Sequence, residues 1–595
     1  MTTAIREFRA LFALMWRHSK RYFLYVLLLI LAQNVLSFSG VLLPKYLLDA
    51  LSAREVQTAL WIAAGMAGFV PVCSVLISTL DAQKAHINRT LRVDLHTRLV
   101  RRVTQSDYQS FESFETRERH AFAVQCLSKN AVESVIGCIT GVIGSAITLV
   151  GMLYVVSYVA WWLWIVMLIS VIVNTLCERW RAKYNYESYR SQNKAEMQML
   201  YARDWMPRRG FAKEVRLFGL YDYVVTRADQ YINALSALQT RRARKTFAAL
   251  WVTYLFNGLY MVAAYGYIAY RCFQGEIGIG SFAMLTMAML TVGQATQSIA
   301  SGVIDAHDQM RYVRNYLQVV AAPKQDDAEP LMPDDQPFTL SLDEVSFTYP
   351  GAETPALNAV TQSFASGKKY GIVGANGSGK TTFVHLLMRL YRPDRGDIRL
   401  SLKDAAAQSA HRYKRGDWFA LFSPVLQGFN AYAYTIAENI AMGRPHDPAR
   451  MRRLLTELHL DERMASLPDG LDTPITAEYD DGGTDFSGGE KQKLAIARAL
   501  YKDAPILVFD EPTAALSPQS EVELYHAMNR LARDKTVFFI SHRLASCRMC
   551  DEILVFDEGR VVARGTHDAL MSDSGGLYHR MFTAQAQLYA EEEQA

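Results

Sequence analysis

The chain has 595 residues, more than one ordinary domain of about 100–200 residues holds. Half of the residues are hydrophobic, 21% are charged and the net charge is only +4, a balance that leaves no electrostatic footprint for nucleic acid. The 7 cysteines are scattered, which excludes the disulfide framework of a small secreted domain, and Cys547 and Cys550 lack the second pair of ligands that zinc requires.

In chain order, residues 4–19 read as an amphipathic helix with Phe8, Leu11, Phe12, Leu14 and Met15 on one broad face. A helix lying on a membrane surface and a plain solvent-facing helix both fit this pattern. Arg6, Arg9, Arg17, Lys20 and Arg21 precede an apolar run that is too long for a cleavable signal peptide. Six apolar stretches follow, at 22–47, 58–80, 135–157, 160–179, 247–271 and 282–304. Each is close to the ~20 residues that cross a bilayer core. Basic residues cluster before the first stretch, after the second and fourth, and before the fifth, whereas the opposite loops are short. The positive-inside rule then puts both termini and the second half of the chain in the cytoplasm, with Trp161, Trp162 and Trp164 as an outer aromatic belt.

The two long cytoplasmic segments keep helical periodicity, so the membrane helices are expected to run on past the bilayer. Each holds a compact mixed stretch, around Phe111 and around Glu214 and Phe218, of the kind that docks an aromatic knob in a groove. Polar residues inside the spans are few: Asn34, Asn174, Asn257, Gln294 and Gln297, with Tyr260 among several tyrosines of the fifth span. Asn257, Tyr260, Gln294 and Gln297 suit a polar–aromatic substrate cavity, and hydrogen bonding between helices suits them equally. Residues 321–337, with several prolines and acids, read as a linker between a membrane domain (1–320) and a soluble α/β domain (338–595).

The second domain opens with strands ending near Tyr349. After them, Gly374, Asn376, Gly377, Ser378, Gly379, Lys380, Thr381 and Thr382 fit the G-x-x-x-x-G-K-[ST] phosphate loop between an apolar strand and a helix. Glycines let successive N–H groups turn toward phosphate oxygens, Lys380 supplies a point charge and Thr381 a hydroxyl for Mg²⁺. Downstream, an apolar strand ends in Asp510 and Glu511: one acid suited to Mg²⁺, the other to orienting or deprotonating a water. Another strand ends at His542, within reach of a γ-phosphate. Ser487, Gly488 and Gly489 open a helix and form a second anion site, which one nucleotide on one chain does not need; two chains sharing each nucleotide would use both.

Ser487-Gly-Gly-Glu490, lying between the phosphate loop and the acid pair, resembles the signature of ATP-binding cassette (ABC) proteins. The order Tyr349, phosphate loop, Gln427, signature, acid pair, His542 also matches. With six spans ahead of it, the whole chain looks like an ABC exporter half-transporter: a membrane α-helical domain of the type I exporter kind fused to an α/β P-loop ATPase. The resemblance implies that Tyr349 stacks on adenine, Gln427 touches Mg²⁺ and senses the membrane domain, and Ser487 to Glu490 contact the partner's nucleotide. It makes Glu511 the catalytic base, His542 the switch histidine, and the Phe111 and Phe218 segments coupling helices. It implies ATP and Mg²⁺ as cofactors and a second copy, or a homologous half-transporter, as partner in a bacterial inner membrane. The wording after the signature looks like exporters of peptides, bacteriocins and antibiotics. An amphipathic peptide or drug-like substrate is therefore expected, with a lipid or glycolipid flippase, an importer of the same fold, or a non-transporting regulator as alternatives.

Several positions depart from the family pattern: Glu490 for glutamine, Gly428 for aspartate, Ala514-Ala-Leu-Ser517 for Ser-Ala-Leu-Asp, and Asp481 near a coupling-loop glutamate. Ser517 bears on communication between the two ATP sites. Ser517→Asp is expected to change how substrate stimulates ATPase activity, read as the ratio of stimulated to basal rates; an unchanged ratio removes that role.

Overall fold

The computed structural model describes residues 2–157, 169, 172–180, 198–199, 201, 209–320, 336–402, 406–428, 430–477, 481–512 and 518–592. They form two units, one of residues 1–105 and 117–322, the other of residues 106–116 and 323–595. The stretch 106–116 thus belongs with the second unit, although by sequence it falls inside the membrane half.

Among the described residues of the first unit, five helices are long and apolar enough to cross a membrane: Lys20–Ser52, Val56–Thr104, Ala131–Ser157, Tyr221–Phe273 and Ile279–Val320. They contain the first, second, third, fifth and sixth apolar stretches. Most of the expected fourth, with its tryptophans, lies outside the described residues, and residues 172–179 of it are helical. The helices of 49 and 53 residues outrun a bilayer, in keeping with the helical periodicity read in the two long segments between spans. Small residues let helices approach: a Cβ at Gly280 would stand 2.4 Å from the Lys45 carbonyl. Asn34 joins two helices, its Oδ1 accepting the Thr148 hydroxyl at 2.6 Å.

The N-terminal helix Thr2–His18 splits its apolar residues between two tasks. Leu11 and Met15 are buried against Tyr22, Leu95, Val313 and Tyr316. Phe12 and Trp16 stay exposed and gather with Phe23 at ring distances of 4.5–6.0 Å. Glu7 accepts two bonds from the Arg314 guanidinium, at 2.7 and 2.9 Å, which fixes the helix against Ile279–Val320.

The second unit holds two sheets. Strands β1 (Phe338–Phe347), β2 (Leu357–Ala365), β4 (Arg395–Leu402) and β5 (Gln408–Ser409) form an antiparallel sheet in the order β2-β1-β4-β5. Strands β3 (Lys369–Gly374), β6 (Phe422–Val425), β7 (Ile506–Asp510), β8 (Thr536–Ile540), β9 (Glu552–Asp557) and β10 (Arg560–Gly565) form the other, in the order β10-β9-β3-β8-β7-β6. Only the β9–β10 pair in it is antiparallel. Strands β7 and β8 are buried along their whole length, and so read as unbroken apolar runs. Phe364, Tyr370, Phe383, Phe538 and Phe556 interlock at 4.8–5.8 Å and join the two sheets to the helix Lys380–Leu387.

Trp418 closes the far end of that helix. It is fully buried, its indole N–H donates to the Leu387 carbonyl at 3.0 Å, and the Arg389 guanidinium lies 5.7 Å over its ring. Trp418→Ala should cost about 3–5 kcal/mol, seen as a lowered unfolding temperature of the purified full chain. Trp418→Phe, which keeps a ring and loses the bond, should lower it less.

Candidate nucleotide-binding site

Strand β3 delivers the phosphate loop at the carboxyl end of the parallel sheet, where such folds hold ligands. Gly374 has φ +151°, and a Cβ there would meet the Phe556 carbonyl oxygen at 2.3 Å. Gly379 has φ +102° and opens the helix Lys380–Leu387, with the Ala356 carbonyl oxygen 2.6 Å from a Cβ position. Both positions therefore require glycine. Lys380 is 5% exposed and donates to the carbonyls of Gly374 (2.9 Å) and Ala375 (2.8 Å). Burial lowers its pKa, while the nearby Glu511 and Asp510 act in the opposite direction. Tyr349 is partly buried against Phe347 and Tyr391, and its hydroxyl lies 3.1 Å from that of Thr382. The structure thus gives it the strand-end packing role that the sequence also allowed.

Strand β7 ends at Asp510, which is 2% exposed. Burial and the adjacent Glu511 raise the Asp510 carboxyl to about 6; a hydrogen bond from Thr381 and the Lys380 ammonium oppose the rise. Glu511 adopts φ +50°, a left-handed conformation costly for a residue with a side chain and typical of functional turns. Its N–H donates to the Ile540 carbonyl at 3.1 Å, pinning the turn to the end of β8. Its carboxylate is held on both sides, by Gln427 Nε2 at 3.1 Å and by the His542 imidazole. Glu511, Gln427 and His542 thus converge, and Lys380, Thr381 and Asp510 stand beside them. The Ser378 hydroxyl and Asp510 Oδ1 are buried without a hydrogen-bond partner among the described residues. A buried lysine, two hydroxyls and an orphaned carboxylate oxygen fit a triphosphate with a divalent cation.

The signature residues form the N-terminus of the helix Gly488–Lys502. Ser487 is its N-cap, its hydroxyl accepting the Glu490 N–H at 3.3 Å while the Glu490 carboxylate accepts the Ser487 N–H at 2.7 Å. This capping box explains why glutamate is at home there. Arg463 Nε stands 3.6 Å from the same carboxylate. Arg498 on this helix donates to the carbonyls of Asn439 (2.9 Å) and Asn430 (3.4 Å), tying it to the segment after Gln427.

Residues 357–514 match the ABC transporter family. The ATP-dependent lipid A-core flippase of Chromobacterium violaceum is 28% identical over 557 residues, 89% of each chain. The protein of the same name from Vibrio cholerae is 40% identical over 238 residues, 40% of this chain and 39% of that one. The mycobactin import ATP-binding/permease protein of Mycobacterium tuberculosis is 33% identical over 377 residues, 62% of this chain and 42% of that one. Among solved structures, a bacterial Atm1-family ABC exporter with ATP bound shares the fold, with a TM-score of 0.81 at 22% identity over 95% of this chain and 98% of that one. The chain carries an ABC transporter ATPase domain and is homologous to ABC exporter half-transporters. ATP hydrolysis coupled to transport follows as its activity.

In this ABC ATPase the short helix Tyr108–Glu112 packs on the nucleotide-binding unit. Tyr391 is the receiving residue: its ring meets Tyr108 edge-on at 5.6 Å and its hydroxyl donates to Glu112 Oε1 at 2.6 Å. Gln109 Oε1 accepts the Arg392 N–H at 3.1 Å, and Asp107 pairs with Arg415. The sequence pointed to the stretch that opens at Tyr108 and holds Phe111, and missed Tyr391 and Arg415, for partners so far apart carry no spacing signal. Glu214 lies on the helix Arg209–Leu217 of the first unit, followed by Phe218, which is 75% exposed. Asp481 is exposed ahead of the signature, and Ser517 lies outside the described residues. Of the cavity candidates, Asn257 and Gln297 are partly buried and Gln294 is exposed, on the helices Tyr221–Phe273 and Ile279–Val320; the Tyr260 side chain lies outside the described residues.

The Asp510 carboxyl yields a pH prediction. Its folded-state pKa of about 6 lies above its ordinary 3.8, so the folded protein holds its proton more tightly than the unfolded chain. The destabilisation is fully present above pH 6 and fades as pH falls toward 3.8. Keeping the charge buried costs roughly 2–3 kcal/mol at neutral pH. Asp510→Asn should raise the unfolding temperature of the nucleotide-free protein at pH 7.5, and the gain over wild type should shrink at pH 5.

Proposed function

We propose that the chain is one half of an ATP-driven lipid translocase, working as a pair of copies in a bacterial inner membrane with its ATPase domain and termini cytoplasmic. The carrying observation is the full-length similarity to a protein named as a lipid A-core flippase, at 89% coverage of both chains. It favours an amphipathic lipid with a polar headgroup over the peptide or antibiotic substrate expected from the local wording of the signature region. The mycobactin import relative supports a second reading, inward movement of a mycobactin-like molecule, over a shorter match.

In this reading Lys380 and the loop amides hold the triphosphate. Thr381, Asp510 and Gln427 hold Mg²⁺, which when bound supplies positive charge against the phosphate oxygens. Glu511 takes the proton of the attacking water, with its left-handed backbone and its bonds to Gln427 and His542 setting the carboxylate's direction. His542 holds the γ-phosphate side of the site. Tyr349 packs beside the adenine. Ser487, Gly488 and Gly489 present their helix N-terminus to the nucleotide bound by the partner copy. The Tyr108–Glu112 helix, seated on Tyr391, relays the state of the phosphate-loop helix to the chain segments on either side of it, and the Glu214–Phe218 stretch does the same toward the partner copy.

Proteoliposomes loaded with fluorescent acidic glycolipid, zwitterionic phospholipid or amphipathic peptide test the assignment. ATP should drive the glycolipid between leaflets and stimulate hydrolysis. Glu511→Gln should keep ATP affinity but lose about 100-fold or more in turnover, with transport stopping alongside. Peptide uptake without lipid movement would refute the lipid reading; wild-type turnover in Glu511→Gln would refute the base.

A further inference from the structure

His542 reaches Glu511 from a loop, not from a strand, because β8 stops at Ile540. The backbone that carries the imidazole is set by side chains from elsewhere in the chain. Gln585, on the C-terminal helix Leu577–Glu592, spans it with both ends of its amide. Its Nε2 donates to the His542 carbonyl at 2.8 Å, and its Oε1 accepts the Leu544 N–H at 2.7 Å. One primary amide thereby satisfies the backbone on both sides of Arg543. Arg543 is tied down in turn: its guanidinium pairs with Glu521, whose side chain is 5% exposed, and the Ser546 hydroxyl donates to its carbonyl at 2.6 Å.

Gln585 is not there to fill a core. It is partly exposed and sits between the exposed Ala584 and Ala586. The helix is anchored by other residues: Tyr578 is 1% exposed against Cys547 and Val555, and its hydroxyl lies 2.8 Å from His567 Nδ1. Phe582 packs 5.1 Å from the His567 ring. The helix is thus anchored by side chains other than Gln585, whose two amide bonds both go to the histidine loop.

We propose that Gln585 is a positioning residue for ATP hydrolysis: it locks the backbone of residues 542–544 so that His542 stays against Glu511, placing the reaction under the control of the C-terminal helix. The inference rests on the role given to His542 above. Loss of the amide lets the loop relax by a fraction of an ångström to an ångström, enough to misalign a catalytic group.

The test uses the full-length protein in nanodiscs and compares wild type, His542→Ala, Gln585→Ala, Gln585→Glu and the double variant His542→Ala/Gln585→Ala. Gln585→Ala should lower kcat by about tenfold, with the KM for ATP within twofold of wild type and the unfolding temperature unchanged. Gln585→Glu is nearly isosteric and keeps the acceptor for Leu544, but it sets a carboxylate oxygen against the His542 carbonyl; it should fall as far, which guards against a folding defect in the alanine variant. The double variant should turn over no more slowly than His542→Ala alone, because a residue acting through the histidine has nothing further to remove. Wild-type kcat in both Gln585 variants overturns the proposal, and so does a loss that adds in full to that of His542→Ala. If His542→Ala itself hydrolyses at the wild-type rate, the histidine assignment has failed and the clamp falls with it; if His542→Ala is slow and the Gln585 variants are not, only the clamp has failed.

Discussion

Two acids side by side at the end of a wholly buried strand are the constraint around which the nucleotide unit is built. Strand β7 carries Asp510 into the interior, where its charge is costly, and sets Glu511 directly after it with a left-handed backbone. Neither would persist without compensation. Lys380 and Thr381 approach Asp510 from the loop after β3. Gln427 reaches Glu511 from the segment after β6, and His542 from the loop after β8. The four contributing strands are contiguous in the sheet, in the order β3-β8-β7-β6, and all are parallel. Parallel pairing puts their carboxyl ends at one edge, so residues far apart in sequence meet there without any long loop. The strain at Glu511 and the burial of Asp510 lower stability, and the apolar length of β7 and β8 offsets them.

The same edge is connected to the docking helix by a column of aromatic rings. Tyr391 touches Tyr108 on one side and Tyr349 and Phe347 on the other, at 5.1–5.6 Å. The Tyr349 hydroxyl meets that of Thr382 in the first turn of the phosphate-loop helix. Edge-to-face rings at these distances resist sliding more than aliphatic contacts do, since each pair has a preferred angle. The hydroxyl bonds to Glu112 and Thr382 fix the two ends. The phosphate-loop helix and the segment 106–116 are thus joined through directional ring and hydroxyl contacts rather than through aliphatic packing alone.

Much of the fold was legible because burial writes itself into composition. Apolar stretches long enough to cross a bilayer and buried parallel strands both read as unbroken apolar runs, distinguished by length. The phosphate loop was legible because its backbone demands glycine at fixed offsets. That the stretch around Phe111 docks was expected, but the residues that receive it were not legible, because Tyr391, Arg392 and Arg415 lie about 280–310 positions downstream. The N-terminal helix was half legible: its wide apolar face was plain, but pattern alone does not say that Leu11 and Met15 turn inward while Phe12 and Trp16 turn out. A stripe wider than one packing surface signals two neighbours without naming either.

Within the site, the residues to which chemistry is assigned by proposal carried a signal and those that hold them in place did not. Gln585 sits in an ordinary helical stretch, and nothing in its neighbours marks an amide that grips a backbone more than 40 residues earlier. Glu490 is the instructive intermediate. Measured against a family pattern it is a departure; as local chemistry, Ser487-x-x-Glu490 is a capping box written in full. The glutamate satisfies the Ser487 N–H and places an acid where the helix dipole is positive, so the helix start is stabilised by the residue that departs from the family pattern. The same bond engages an amide that a phosphate would otherwise meet, and Arg463, 3.6 Å from the carboxylate and 5.5 Å over the Phe486 ring, stands ready to share the charge. The start of a signature helix capped in this way is satisfied from within the chain, and an anion approaching its N-terminus competes with an internal carboxylate, whereas at the phosphate loop it meets a lysine.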